Sequence, residues 1–189
     1  MAWSTRGART RFEVSCLGDS LTSGGYTFFL SYMLGRDVTG LGVGGQKSDQ
    51  ILERYRARQV PGGILAVWAG NNNFDDPERV EADVDAIAVL HGNPGKLLVL
   101  GLVNGDYPGR RIGEAGYQKI VDYNSRQAAR FGEHFLDIRA ALIARVGGNN
   151  PDDILPAKIR KDKIHLNMWG NWLVARLVYS RLKQLELAS

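Results

Sequence analysis

With one cysteine in 189 residues, the chain has no means of forming an internal disulfide. That residue, Cys16, lies inside an apolar run, and a lone thiol leaves the redox compartment open. Histidines are almost as scarce, at three, and no cluster of His, Cys or paired carboxylates has ligand spacing. No metal and no organic cofactor is therefore expected. No apolar run approaches the roughly 20 residues that cross a bilayer. The start, Met1-Ala2-Trp3-Ser4-Thr5-Arg6, carries charge with no apolar stretch behind it, so no secretory signal is read and a cytoplasmic location is the default. Neither sign of charge dominates: 24 Lys and Arg against 20 Asp and Glu leave +4. The basic residues are scattered, apart from Arg6, Arg9 and Arg11 and the segment Lys158 to Lys163. Without an aromatic-rich signature beside them, these read as a solvated basic face, and no nucleic-acid partner is expected. Repeats, low-complexity tracts and linkers are missing too, and the length suits one domain spanning 1–189.

What the chain does have is alternation. Short, nearly continuous apolar runs read as strands at Phe12-Leu17, Asp37-Leu41, Ile64-Trp68, Leu97-Val103 and His134-Ile138. Helical patterns lie between them. Tyr26, Phe29, Leu30, Met33 and Leu34 form a stripe that stops at Gly35, a natural helix terminator. Ser48 can cap a helix carrying Ile51, Leu52 and Tyr55, and Asp76-Pro77 opens one carrying Val80, Val84 and Ile87. Further helices follow Gly113 and begin near Trp169. Strand-helix alternation of this kind predicts an α/β fold, a three-layer α/β/α sandwich around a five-stranded parallel sheet. Open sheets of this type place ligands at the carboxyl ends of their strands. The loops of unusual composition are Gly42-Gln46, Gly70-Asp76, Asn104-Gly113 and Gly147-Pro156, and the first two directly follow strands.

Gly18-Asp19-Ser20-Leu21 also follows a strand and leads into a helix, which presents a serine hydroxyl at that edge. Taken alone, it reads equally as a plain turn. A serine nucleophile needs a proton acceptor. His91 ends an acid-rich helix and His134 opens the fifth strand, at the sheet's other edge. His165 stands in Asp162-Lys163-Ile164-His165, where an aspartate three residues earlier can fold back onto Nδ1. By itself that segment also reads as a surface histidine in a charged turn. Oxyanion donors are available from the backbone of Gly45 in the Gly42-Gln46 loop, from the side chain of Asn72, and from the amide of Ser20. Singly, the glycine and asparagine runs read as ordinary loops.

Order is what joins them. Gly18-Asp19-Ser20-Leu21-Thr22, Gly45 within Leu41-Gln46, Gly70-Asn71-Asn72-Asn73 and Asp162-x-x-His165 resemble the four motif blocks of the SGNH hydrolases, also called the GDSL esterase/lipase family. The resemblance runs from the first strand to the last helix. It departs at Asn73, an aspartate in the family, and at Gly40, where many relatives carry asparagine. It implies a flavodoxin-like SGNH-hydrolase fold and a carboxylic ester hydrolase working through an acyl-enzyme. Ser20 would be the nucleophile, His165 the base and Asp162 its orienting partner, with Ser20, Gly45 and Asn72 binding the oxyanion.

Within that class a small chain leaves little room for a lid over a long acyl group. Short acyl esters, acetyl first, are therefore expected as substrates. Asp75, Asp76, Tyr107, Arg110, Arg111 and Trp169 suit a sugar or other polar alcohol, though Trp169 reads first as packing at the start of the last helix. The rival readings are a lipid-directed esterase, lysophospholipase or thioesterase of the same fold, and a non-catalytic carbohydrate-binding module.

Overall fold

A computed structural model describes residues 13–58 and 63–188. Strands β1 (Val14–Gly18), β2 (Val38–Gly42), β3 (Ile64–Trp68), β4 (Leu97–Leu100) and β5 (Phe135–Leu136) form one parallel sheet in the order β2-β1-β3-β4-β5. The helices are α1 (Ser20–Ser23), α2 (Tyr26–Leu34), α3 (Ser48–Ala57), α4 (Pro77–His91), α5 (Ala115–Phe131), α6 (Ile138–Val146) and α7 (Met168–Gln184). None of the described helices is long and apolar enough to cross a membrane.

The period of two along the central strands sorts the core into two halves. Val14, Cys16, Ala66, Trp68, Leu98 and Leu100 face one side and pack on α2, α6 and α7 through Tyr26, Leu30, Leu142, Val174 and Val178. Leu17, Leu65, Val67, Leu97 and Val99 face the other, against Ile51, Tyr55, Val84, Ile87 and Ile120 of α3, α4 and α5. Every residue of β1, β3 and β4 is buried, as a sheet covered on both faces requires. Two helix layers around one parallel sheet make the expected α/β/α sandwich. Burial also pushes the Cys16 thiol up to about 12, which leaves it a small apolar side chain.

The helix punctuation follows local chemistry. Gly35 ends α2 at φ 61°, and the Asp76 carboxylate accepts the Arg79 amide at 3.2 Å with Pro77 in the first turn of α4. Ser48 departs from its expected role. It is the first residue of α3 and is fully buried, and its hydroxyl donates to Asp83 Oδ2 at 2.6 Å instead of capping. Gln50 Oε1 accepts the Lys47 amide in its place, at 2.9 Å.

Phe12, read as the start of the first strand, lies outside the described residues, and β2 runs one residue beyond Leu41. β4 ends at Leu100, short of Val103, because the amides of Leu102 and Val103 turn to the side-chain oxygens of Asn124 (2.8 Å) and Asn71 (3.0 Å). β5 keeps two residues of the expected five. His134 sits in a 3₁₀ turn before it, and Ile138 already begins α6, a helix for which no sequence signal was read.

Candidate active site

The carboxyl edge of the sheet is organised around β1. Gly18 pairs with Gly42 on one side and Trp68 on the other. A Cβ on Gly18 would stand 2.2 Å from Thr22 Oγ1 and 2.5 Å from the Trp68 carbonyl, so only glycine lets α1 turn back over the strand ends. Asp19 follows, wholly buried, and its Oδ1 accepts the Leu21 amide at 2.9 Å. That bond fixes the turn that brings Ser20 to the surface of the edge.

Ser20 Oγ lies 3.0 Å from His165 Nε2, and His165 Nδ1 lies 2.8 Å from Asp162 Oδ2. With the proton on Nδ1 donated to the carboxylate, Nε2 is left to accept from the serine hydroxyl. The other oxygen, Asp162 Oδ1, accepts the amides of Ile164 (2.9 Å) and His165 (2.8 Å). These backbone bonds, the Ile164 amide foremost, hold the Asp162 carboxyl at about 2, so it is ionised across the neutral range. The other two histidines do not reach the serine. His91 Nδ1 is 3.1 Å from the Tyr55 hydroxyl on the α3–α4 side, and His134 Nδ1 is 2.7 Å from the Leu97 carbonyl at the opposite edge of the sheet.

The glycine loop closes on the same point. Gln46 N–H reaches the Val43 carbonyl at 3.4 Å, making Gly44 and Gly45 the central residues of a turn with Gly45 at φ 76°. A side chain at that φ is strained, and a Cβ on Gly44 would come within 3.9 Å of Ser20 Cβ. Among the described residues no hydrogen bond uses the amides of Ser20 or Gly45.

The three asparagines separate by burial. Asn71 is buried and its Oδ1 holds the Val103 amide at 3.0 Å. Asn73, also buried, ties the start of α3 through Ser48 N–H (3.0 Å) and Ser48 Oγ (2.9 Å). Only Asn72 is exposed, with Nδ2 donating to the Gln46 carbonyl (2.9 Å) and, over a longer 3.3 Å, to Asp19 Oδ2. Ser20, Asn71, Asn72, Tyr107, Arg110 and His165 are among the residues lining a cavity of about 160 Å³.

Of the six residues expected to suit a polar alcohol, Tyr107 and Arg110 face this cavity, and Asp75, Asp76, Arg111 and Trp169 do not line it. Arg111 pairs with Asp106 at 2.8 Å, Asp76 is spent on its cap, and Trp169 lies under Lys158, 5.9 Å from ring centroid to Nζ.

Two arginines brace the site that no sequence pattern singled out. Arg54, from α3, donates to the carbonyls of Gly18 (2.9 Å) and Leu41 (2.8 Å) and to Gln46 Oε1 (2.9 Å). It thereby joins the ends of β1 and β2 to the glycine loop. Arg160 belongs to the segment expected to form a solvated basic face, yet its side chain is 8% exposed. It donates to the carbonyls of Leu155, Asp162 and Lys163, which fixes the loop carrying Asp162 and His165.

No protein-family model matches the chain, and no curated protein matches its sequence. Solved structures do match. A GDSL-like lipase from Bacteroides thetaiotaomicron superposes with a TM-score of 0.72 at 19% identity, over 95% of this chain and 92% of that one. An acetyl xylan esterase superposes at 0.70 with 19% identity, over 89% and 98% of the two chains. The chain has the GDSL-hydrolase fold. An α/β hydrolase from the metagenome of Lake Arreo, Spain, shares it as well, at TM-score 0.69 and 17% identity over 94% and 96%. In this GDSL-hydrolase fold the cavity beside Ser20 occupies the edge where open α/β sheets hold their ligands.

Proposed function

We propose that the protein is a serine esterase that hydrolyses short-chain carboxylic esters through an acyl-enzyme. The observation that carries this is the unbroken line from Ser20 Oγ to His165 Nε2 and from Nδ1 to Asp162, at 3.0 and 2.8 Å. Ser20 Oγ attacks the ester carbonyl carbon as His165 Nε2 takes its proton, and Asp162 stabilises the imidazolium that forms. The carbonyl oxygen, now an oxyanion, receives the Ser20 and Gly45 amides and Asn72 Nδ2. For Asn72 this means giving up its long bond to Asp19 and keeping the shorter one to Gln46. Collapse expels the alcohol, which takes the proton back from His165. Water, activated by the same imidazole, then releases the acid.

The cavity favours a short acyl group: at about 160 Å³ it lies below the usual size of a ligand pocket, roughly 300–1,000 Å³, and gives a long chain little burial. Tyr107 and Arg110 beside the cavity favour a polar alcohol, sugars included, and the acetyl xylan esterase of the same fold is consistent with that choice.

A series of p-nitrophenyl esters from acetate to octanoate tests the reading. Turnover that peaks at acetate or propionate is expected. A steady rise of kcat/KM toward octanoate would favour a lipid-directed enzyme, since each buried methylene contributes about 0.8 kcal/mol. No turnover of any ester would leave a binding module.

A further inference from the structure

Arg110 lines the cavity beside Ser20 and His165. Its guanidinium carbon lies over the Phe74 ring, 3.9 Å from the centroid, with the Tyr107 ring centroid 4.9 Å away. The rings offer π surface to the cation and no oxygen acceptor to its N–H edge. Among the described residues that edge makes no hydrogen bond and no ion pair. The arginines around it are treated differently. Arg111 is paired with Asp106, and Arg160 is tied to three carbonyls. Asp75 is the carboxylate that acts on Arg110, through space and without contact, while Lys163 adds a second cation over the same Tyr107 ring at 5.4 Å. Half-burial lowers the Arg110 pKa, so the cation has shed part of its hydration without acquiring an internal counter-ion.

The position of Arg110 is not left to a mobile loop. Its carbonyl accepts from the buried Asn104 Nδ2 at 2.8 Å, and its amide reaches the Tyr107 carbonyl at 3.2 Å. Asn104 is held in turn by Arg139 (2.8 Å), itself ion-paired with Asp153. A buried polar network therefore fixes the backbone of Arg110, whose half-buried, unpaired side chain lines the space beside the serine.

We propose that Arg110 is a specificity residue that receives a carboxylate of the substrate, so that the preferred ester is an anionic one. This rests on the esterase reading and narrows it from polar esters to esters of carboxylate-bearing acids or alcohols. A planar guanidinium edge matches a carboxylate through two parallel N–H donors.

Two ester pairs test the proposal in the wild-type enzyme and in Arg110→Gln. The first is 4-acetoxybenzoate against its methyl ester, with the charge on the alcohol side. The second is p-nitrophenyl hemisuccinate against its methyl diester, with the charge on the acyl side. Intrinsic reactivity cancels when the anionic-to-neutral ratio of kcat/KM is compared between the two proteins. A fall in that ratio of roughly ten- to a hundredfold in one pair is expected, from the loss of a charged hydrogen-bonded contact, and the pair affected identifies the side. An unchanged ratio in both pairs overturns the proposal. A measurement that needs no variant stands beside it: benzoate should inhibit the wild-type enzyme at least tenfold more strongly than benzamide, and equal inhibition overturns the proposal. If the wild-type protein turns over no ester, the esterase reading fails by itself. Calorimetric binding of 4-acetoxybenzoate then decides Arg110: tenfold weaker binding in Arg110→Gln supports its role, and equal binding refutes it.

Discussion

Replacing Asp19 by asparagine should change how stability responds to pH. Asp19 is wholly buried, and burial outweighs its hydrogen bonds to raise the carboxyl from 3.8 to about 6. The folded protein therefore holds a proton on Asp19 that the unfolded chain has released between about pH 4 and 6. Where the folded state binds more protons, stability falls as pH rises. The wild-type protein should accordingly lose stability across that window, and above it bear the full cost of an ionised buried carboxylate. A difference of roughly two pK units corresponds to about 3 kcal/mol.

Asparagine does not titrate, and its Oδ1 can still accept the Leu21 amide, so the turn before Ser20 survives. Urea unfolding of both proteins at several pH values from 4 to 8 isolates the effect, because titrations that are not coupled to Asp19 cancel in the difference. The stability of Asp19→Asn relative to wild type should improve by about 2.4 kcal/mol between pH 4 and 8. Parallel curves would refute the reasoning. Activity should move the other way, since an amide at position 19 can face Asn72 Nδ2 with a second donor where the carboxylate Oδ2 now accepts.

Histidine, asparagine and arginine substitutions respond in separable ways. His165→Ala should abolish ester turnover, while His91→Ala and His134→Ala, whose rings bond Tyr55 and the Leu97 carbonyl, should keep it in a p-nitrophenyl acetate assay. Asn72→Ala should lower kcat by roughly 10²–10³-fold with little change in KM, as loss of an oxyanion donor does. Asn71→Ala should instead appear as about 1–3 kcal/mol of lost stability in urea unfolding, because the buried Val103 amide loses its acceptor. Arg54→Met, which releases the glycine loop from β1 and β2, should depress kcat more than it raises KM, and Arg54→Lys should restore part of the loss.

The strands were legible because β1, β3 and β4 are buried on both faces and so read as unbroken apolar runs. Gly35 and Asp76-Pro77 were legible because helix termini are set by local chemistry. Helix α6 escaped because nine residues directly after a two-residue strand carry little periodicity. Its signal was Asp137, whose Oδ1 accepts the Ala140 amide at 2.9 Å. The sites of Ser20, Asp162 and His165 could be proposed from short motifs with a fixed local geometry. The register within Asn71-Asn72-Asn73 was a choice among identical side chains, and only burial separates them. Arg54 and Arg160 carry no local pattern at all. Most of their partners are main-chain carbonyls, brought to them by the sheet edge in one case and by the loop around His165 in the other.

The central claim is that the Ser20 hydroxyl, activated by His165, is the nucleophile. Incubating the protein with a serine-directed fluorophosphonate and mapping the adduct by mass spectrometry tests it most directly. One phosphonyl group on Ser20, formed together with the loss of esterase activity and absent in a folded Ser20→Ala variant that no longer turns over p-nitrophenyl acetate, is the predicted result. An adduct on another residue, or a Ser20→Ala protein that keeps its activity, would contradict the account.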